Sequence, residues 1–326
     1  MNGMSGAPSG ARPLRLGTRR SQLAMAQSGM VADRVRQATG REVELVEITT
    51  YGDVSKEDLA RIGGTGVFVS ALRDALLAGE IDFAVHSLKD LPTAAPEGLV
   101  LAAIPAREDP RDALVARDGL AFADLPDGAR VGTGSPRRMA QLNAWARSHG
   151  LRVETVPIRG NVDTRIGYVT SGRLDAVVLA AAGLNRIGRI AEASELIAAD
   201  VCLPAPGQGA LAVECAASDP ELAAQLAGLD DPVTRVAVTA ERSLLAALEA
   251  GCSAPVGALA DLMDDGQFSE LRLRGVVGTT DGSSLVQMSI TGPVPASDDE
   301  ARALGRELAE SMLAKGAAGL MGESTH

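Results

Sequence analysis

The run Val85-His-Ser-Leu-Lys-Asp-Leu-Pro92 sets Lys89 beside Asp90 at the end of an expected strand. A carboxylate among basic residues is expected below the ordinary aspartate value of ~3.9 and so ionised, which suits Asp90 to stabilise a transient cation rather than donate a proton. The bases around it are nearly all arginine: of 31 basic residues, only Lys56, Lys89 and Lys315 are lysines. They recur where strands should pass into helices. Arg19 and Arg20 follow the first strand, Arg61 lies in Arg61-Ile-Gly-Gly-Thr-Gly66, Arg137 and Arg138 follow Ser135-Pro136, Arg159 and Arg165 flank Gly160-Asn161, and Arg186 stands one turn past a strand ending near Ala180. A solvated side chain or an ion pair at a helix end accounts for any one of them. Their joint placement predicts a polyanion cleft, because open α/β sheets bind ligands beyond the carboxyl ends of their strands, and guanidinium grips carboxylate or phosphate with two parallel bonds. A carboxylate inside such a cleft implies a substrate of mixed charge.

Cys252 is the one cysteine in a Gly/Pro-bounded loop, Gly251-Cys-Ser-Ala-Pro255, and is the candidate nucleophile or covalent attachment point. His86, His149 and His326 form no recognisable Cys/His signature with it. Cys202 and Cys215 lie in apolar, strand-like contexts and read as core thiols. Three widely spaced cysteines without C-x-x-C pairs indicate neither a disulfide framework nor a metal site.

Short β-rich runs alternate with amphipathic helical stretches from Leu14 onward, the signature of an α/β fold. Strands are expected at 14–17, 42–50, 82–86 and 99–104, with helices near 21–38 and 67–78. After the charged crossing Arg107-Glu-Asp-Pro-Arg-Asp112, a second set follows: strands at 113–116, 129–132, 152–156 and 176–180, helices at 136–147 and 162–171. Leu16-Gly-Thr-Arg-Arg-Ser21 and Val131-Gly-Thr-Gly-Ser-Pro-Arg-Arg138 share one plan: strand, Gly-Thr, then a basic start to a helix. Ser135 as N-cap with Pro136 at the first helical position fits that plan. Two similar lobes facing a cleft are expected.

The Gly/Pro-rich Leu203-Pro-Ala-Pro-Gly-Gln-Gly209 leads to a strand at 210–214 and a helix at 220–227, read as a return to the first lobe. A long helix over 232–250, strands near 256–262, 270–278 and 285–291, and a last helix over 298–315 suit a smaller α+β domain with an antiparallel three-stranded sheet. The expected division is a disordered tail over 1–13, a first domain from 14–106 and 204–229, a second from 107–203, and a third from 230–326.

Composition narrows the classes. A chain of 326 residues suggests two or three domains, and its longest apolar stretch, Ala176 to Leu184, is far short of the ~20 residues that span a bilayer. Aromatics at 2% leave few stacking platforms for single-stranded nucleic acid, and at a net charge of -11 acid prevails over the whole chain while arginine can prevail locally. Met1 to Pro13 lacks the apolar core of a secretory signal. The reading is a cytoplasmic enzyme, monomeric by default, without a nucleic-acid or membrane partner.

Gly17-Thr-Arg-Arg-Ser21, Gly63-Gly-Thr-Gly-Val-Phe68, Ala84-Val-His-Ser-Leu-Lys-Asp90, Arg107-Glu-Asp-Pro-Arg-Asp112, Arg159-Gly-Asn-Val162, Pro206-Gly-Gln-Gly209 and Ala240-Glu-Arg242 occur in one order. Together they resemble the porphobilinogen deaminases, from about Leu14 to the last helix. The resemblance implies two periplasmic-binding-protein-like lobes plus the C-terminal domain. It also implies a dipyrromethane cofactor joined by a thioether to Cys252, and the addition of four porphobilinogen units to that primer with loss of ammonia, before water releases hydroxymethylbilane.

By motif position it implies that Asp90 is catalytic and contacts the cofactor. Lys89, Ser135, Arg137 and Arg138 would hold the cofactor's acidic side chains, and Arg19, Ser21, Arg159, Arg165 and Arg186 those of substrate. Phe68 would pack over a pyrrole ring, and Gln208 would lie in a hinge between lobes. The chain departs from the family pattern at Arg61 and Thr65, where lysines are frequent, and at Pro136 and Asn185.

Two rivals remain on the residues alone. A two-lobed small-anion-binding protein or effector domain has the same topology but no need of a Lys-Asp pair and a loop cysteine. A transferase with a simple thiol nucleophile lacks its histidine.

Overall fold

The computed structural model describes residues 12–48, 66–251, 254–264 and 269–321. Most of the expected N-terminal tail, Arg61 to Thr65 of the Gly-rich loop, and Cys252 lie outside the described residues, as does the side chain of Phe68.

Two five-stranded sheets carry the fold, and they share one plan. In the first, β1 (Leu14–Thr18) pairs in parallel with β2 (Val43–Glu47) and β3 (Phe83–Ser87); β10 (Leu211–Ala216) then runs antiparallel between β3 and β4 (Leu99–Ala103). In the second, β6 (Ala129–Gly132) pairs in parallel with β7 (Val153–Val156) and β8 (Ala176–Ala180), and β5 (Asp112–Ala116) runs antiparallel between β8 and β9 (Glu195–Ile197). The α/β class and the repeated lobe are as the sequence indicates. β9 was not foreseen, being only three residues long.

Helices follow the strands that end in Gly-Thr. α1 (Gln22–Thr39) starts at Ser21, whose hydroxyl accepts the Ala24 N–H at 3.3 Å, and stops at Gly40 in the left-handed region. Further helices are α2 (Gly66–Leu77), α3 (Pro136–Ser148), α4 (Val162–Thr170), α5 (Ala181–Arg186) and α6 (Pro220–Ala227). α3 has Ser135 at its N-cap position and Pro136 at its first residue, but the serine hydroxyl makes no capping bond. That hydroxyl stays available for another partner.

The chain divides into two compact units, residues 1–91, 95–106 and 211–231 in one, and 92–94, 107–210 and 232–326 in the other. The first holds its sheet around Leu14, Leu16, Phe83 and Val213. Closing such side chains from water contributes roughly 1.5 to 3 kcal/mol each. The second holds the other five-stranded sheet and a meander of β11 (Val256–Asp264), β12 (Ser269–Gly278) and β13 (Leu285–Pro293). α7 (Pro232–Ala247) and α8 (Asp298–Ala314) bury Leu244, Leu308 and Met312 with Leu271, Leu273 and Val277 of the meander.

Within the second unit the meander is fixed to α3. Gln141 donates to the Leu203 carbonyl at 3.0 Å and accepts from the Leu203 N–H at 2.7 Å, while Ala258 N–H reaches the Pro204 carbonyl at 2.9 Å. Glu241 of α7 is wholly buried and takes Arg107 through two bonds of 2.7 and 3.0 Å, with the N–H groups of Gly207 and Ala260 at 2.7 and 2.9 Å. A buried carboxylate so fully met is a fixed point for three segments.

Candidate active site

In the first unit, Phe83–Ser87 ends in a single 3-10 turn, Leu88–Asp90. Leu88 and Leu91 are buried and pin the turn from below, and Gln27 of α1 exchanges amide and hydroxyl contacts with Ser87 at 3.0 and 3.4 Å. Lys89 and Asp90, between the two leucines, keep part of their surface open. The strand therefore delivers Asp90 at its carboxyl end, where an α/β sheet holds its ligands.

The expectation of a depressed Asp90 titration is corrected. Burial raises its carboxyl above the ordinary aspartate value, and the charges of Lys89, Arg19 and His86, though they pull downward, do not offset it. Cations alone would lower it, and the loss of water around the carboxylate outweighs them. The structure thus gathers Arg19, Lys89 and His86 around Asp90, and Ser21 caps the helix that follows Arg19.

Behind Asp90 lies a closed cluster that the sequence reading did not assign. Glu214, in the middle of β10, accepts from Arg73 of α2 at 3.0 and 2.7 Å, and the His86 Nε2 stands 3.2 Å from it. Burial alone would raise this carboxyl; His86 and Arg73 hold it down at about 2. Its signal in the sequence was an acidic residue inside the apolar strand Leu211-Ala-Val-Glu-Cys-Ala216, which requires a buried cation.

In the second unit, the first turn of α3 places Arg137 and Arg138 against Asp112, the first residue of β5. Arg137 Nη1 lies 2.8 Å from Asp112 Oδ2 and donates to the Leu203 carbonyl at 2.5 Å. Arg138 donates to Asp112 Oδ1 at 2.7 Å and to the Val178 carbonyl at 2.8 Å. Both residues are almost closed from solvent, at 3% and 5% exposure. Burial opposes ionisation of Asp112, but the two guanidiniums hold it well below the usual carboxylate range.

Cys202, read as a core thiol, is fully buried just after the turn that follows β9, and its thiol sits 3.5 Å from Asp112 Oδ2; burial pushes it up to about 12. Cys215 is in β10 as expected. Gln208 is buried and donates to Asp112 Oδ1 at 2.7 Å and to the Pro110 carbonyl at 2.8 Å, two residues before the boundary of the unit at Ala210.

Arg165 is half-buried, and its Nε donates to the Gly160 carbonyl at 2.8 Å. Burial and the charge of Arg138 lower its titration, the sign of a cation near another cation. Arg186 is half-buried at the end of α5 and donates to the Gly209 carbonyl at 2.5 Å, and Arg159 is exposed. Two guanidiniums, Arg137 and Arg138, thus share a single buried carboxylate, Asp112, and Arg165 lies close enough to Arg138 to feel its charge. The surplus of cations and the uncommitted Ser135 hydroxyl fit a carboxylate-bearing cofactor. Both arginines already spend one contact each on Asp112. No cluster of His, Cys, Asp and Glu that could hold a metal occurs among the described residues, nor is any described helix long and apolar enough to cross a membrane.

The paired sheets define a two-lobed α/β protein with two buried arginines on one carboxylate in one unit and a cation-flanked aspartate in the other. Two family descriptions match the chain: "Porphobilinogen deaminase, dipyromethane cofactor binding domain" over residues 14–224, and "Porphobilinogen deaminase, C-terminal domain" over residues 235–314. It is similar to porphobilinogen deaminase 1 of Streptomyces avermitilis, at 77% identity over 96% of this chain and 98% of that one. Porphobilinogen deaminase of Thermobifida fusca is 57% identical over 94% of each chain. The chain belongs to the porphobilinogen deaminase family. A zinc-bound ligand-binding component of an ABC-type import system from Staphylococcus aureus also aligns, at 11% identity and a TM-score of 0.40 over 72% of this chain and 73% of that one.

Proposed function

We propose that this chain is a porphobilinogen deaminase that condenses four porphobilinogen units head to tail on a covalent dipyrromethane primer, losing one ammonia at each addition, and then releases hydroxymethylbilane by hydrolysis. The observation that carries this reading is the match of both family descriptions, with relatives of that name along nearly the whole chain. A passive anion-binding protein would share the sheets but not that likeness.

Each porphobilinogen brings an aminomethyl group, which is cationic near neutral pH by analogy with lysine at ~10.4. When its carbon–nitrogen bond breaks, the electron pair leaves with ammonia and the pyrrole methylene becomes a delocalised cation. Asp90 is the group assigned to that cation: an ionised carboxylate at the pyrrole N–H stabilises the charge where it develops. The raised titration of Asp90 is compatible with this role, since a carboxylate poorly solvated by water gains more from a cationic partner. Lys89 and Arg19, beside it, are suited to the acidic arms of the same pyrrole.

The dipyrromethane, when bound, supplies the electron-rich pyrrole carbon at which chain growth starts. Cys252 is assigned as its point of attachment, through the family resemblance at Gly251-Cys252. Lys89, Asp90, Ser135, Arg137 and Arg138 are assigned to hold it, and Arg19, Ser21, Arg159, Arg165 and Arg186 to hold substrate. Phe68 is assigned to a ring face and Gln208 to a hinge. The domains in this reading are 14–106 with 204–229, 107–203 and 230–326, and the enzyme works as a cytoplasmic monomer without nucleic acid, metal or membrane partner.

Intact-mass measurement tests the proposal. The purified chain should exceed its sequence mass by two linked pyrrole units, and the excess should vanish in Cys252→Ser. An active chain at its unmodified mass would overturn it.

A further inference from the structure

The reaction as described gives Asp112 no part, yet it is the most heavily engaged carboxylate beside the arginine pair. Its Oδ1 accepts from Arg138 Nη2 and Gln208 Nε2, both at 2.7 Å, and its Oδ2 faces Arg137 Nη1 at 2.8 Å and the Cys202 thiol at 3.5 Å. These donors come from the first turn of α3 and from the loop over 202–208, while Asp112 itself opens β5 opposite Ala180 of β8.

Adjacent arginines at a helix N-terminus are an unstable arrangement. Their charges repel, the helix dipole adds positive potential, and burial removes the water that would screen both. A long side chain under those conditions would swing outward, and each has several rotatable bonds with which to do so. One carboxylate set between the two guanidiniums removes that tendency and leaves one net positive charge for a ligand. The Val178 and Leu203 carbonyls give each guanidinium a second anchor, so its plane is fixed as well as its position. The buried Nε of each still has no hydrogen-bond partner among the described residues.

We infer that Asp112 is the positioning residue of the primer seat, holding Arg137 and Arg138 at one preset spacing and tying them through Gln208 to the loop that leads back to the first sheet. The inference rests on the function proposed above. A primer that arrives with several carboxylates then meets guanidiniums already ordered, and the ordering is done when the protein folds rather than when the ligand binds.

The test uses the full chain, prepared without primer, and follows primer uptake from added porphobilinogen by intact mass alongside thermal unfolding. Asp112→Glu keeps the charge and shifts it by one methylene; Asp112→Asn keeps the shape and removes the charge. We expect Asp112→Glu to fold with Tm within a few degrees of the parent while loading primer at least ~10-fold more slowly, with saturation at higher porphobilinogen concentration. Asp112→Asn should load still less. Normal loading by a folded variant of either kind would overturn the inference. If Asp112→Asn does not fold, Asp112→Glu decides; if neither folds, Asp112 is a folding element and the positioning role is refuted. A parent chain that never gains the primer mass would instead refute the functional reading, so the two failures are distinct.

Discussion

His86 Nε2 lies 3.2 Å from Glu214 Oε2 across the antiparallel pair β3 and β10, with both side chains closed from solvent. The two are diagonal neighbours, since His86 pairs with Ala212 and Glu214 with Ala84. Four residues beyond His86 on the same chain comes Asp90, whose carboxyl feels the His86 charge. The strand that delivers Asp90 is therefore anchored from behind by a buried acid, itself gripped by Arg73.

Glu214→Gln should be destabilising, by about 3 kcal/mol, because it leaves the mostly buried Arg73 without its anion. The effect depends on pH with a definite sign. The folded carboxyl titrates at about 2, below its ordinary 4.5, so its stabilisation is complete above about 4.5 and is lost as pH falls toward 2. Urea unfolding of parent and variant between pH 7 and pH 3 checks this. The gap between them should be widest at pH 5 to 7 and narrow on acidification; a gap independent of pH would remove Glu214 from the linkage.

Asp90→Asn should fold, retain the primer mass and turn over at least ~100-fold more slowly, as expected when a preorganised charge at a developing cation is lost. In the parent the working form is the ionised carboxylate, so activity rises with pH through the Asp90 titration. Burial has raised that titration above 3.8, and the acid limb of kcat against pH should accordingly lie above an ordinary aspartate's. Near-normal turnover in the asparagine variant would exclude Asp90 from the chemistry.

The strands and helices around these residues were legible because their signals are local. Pro136 and the alternation of apolar runs mark element ends without reference to the rest of the chain. The two sheets could be matched through their repeated Gly-Thr-basic junctions, which lie at the ends of β1 and β6. What stayed hidden depends on contacts far apart in sequence. Asp112 meets Gln208 from 96 positions away, Arg73 meets Glu214 from 141, and Arg107 meets Glu241 from 134. Asp90 shows the same limit in energetic form: its cationic neighbours could be read from the sequence, but the burial that outweighs them arises only when Leu88, Leu91 and β3 close around the turn.

Gly209 offers a test of the loop that carries Gln208. Its φ is +89°, a conformation that L side chains rarely adopt, and a Cβ there would run into the Glu108 carbonyl oxygen. The Gly209 carbonyl is also the acceptor for Arg186 at 2.5 Å and for the Glu108 N–H at 3.2 Å, so relief by shifting the backbone would disturb both. Gly172 provides the comparison, with φ of +72° and open space where its Cβ would be. Gly172→Ala should therefore lose only the conformational term, on the order of 1 kcal/mol, whereas Gly209→Ala adds a steric one and should lose about 2 to 4 kcal/mol. Arg186 would be displaced with the carbonyl it binds, so Gly209→Ala should also raise KM for porphobilinogen, and Gly172→Ala should not. Equal losses of stability in the two variants, measured by thermal unfolding, would show that the loop yields freely and that the close approach to Glu108 does not constrain it.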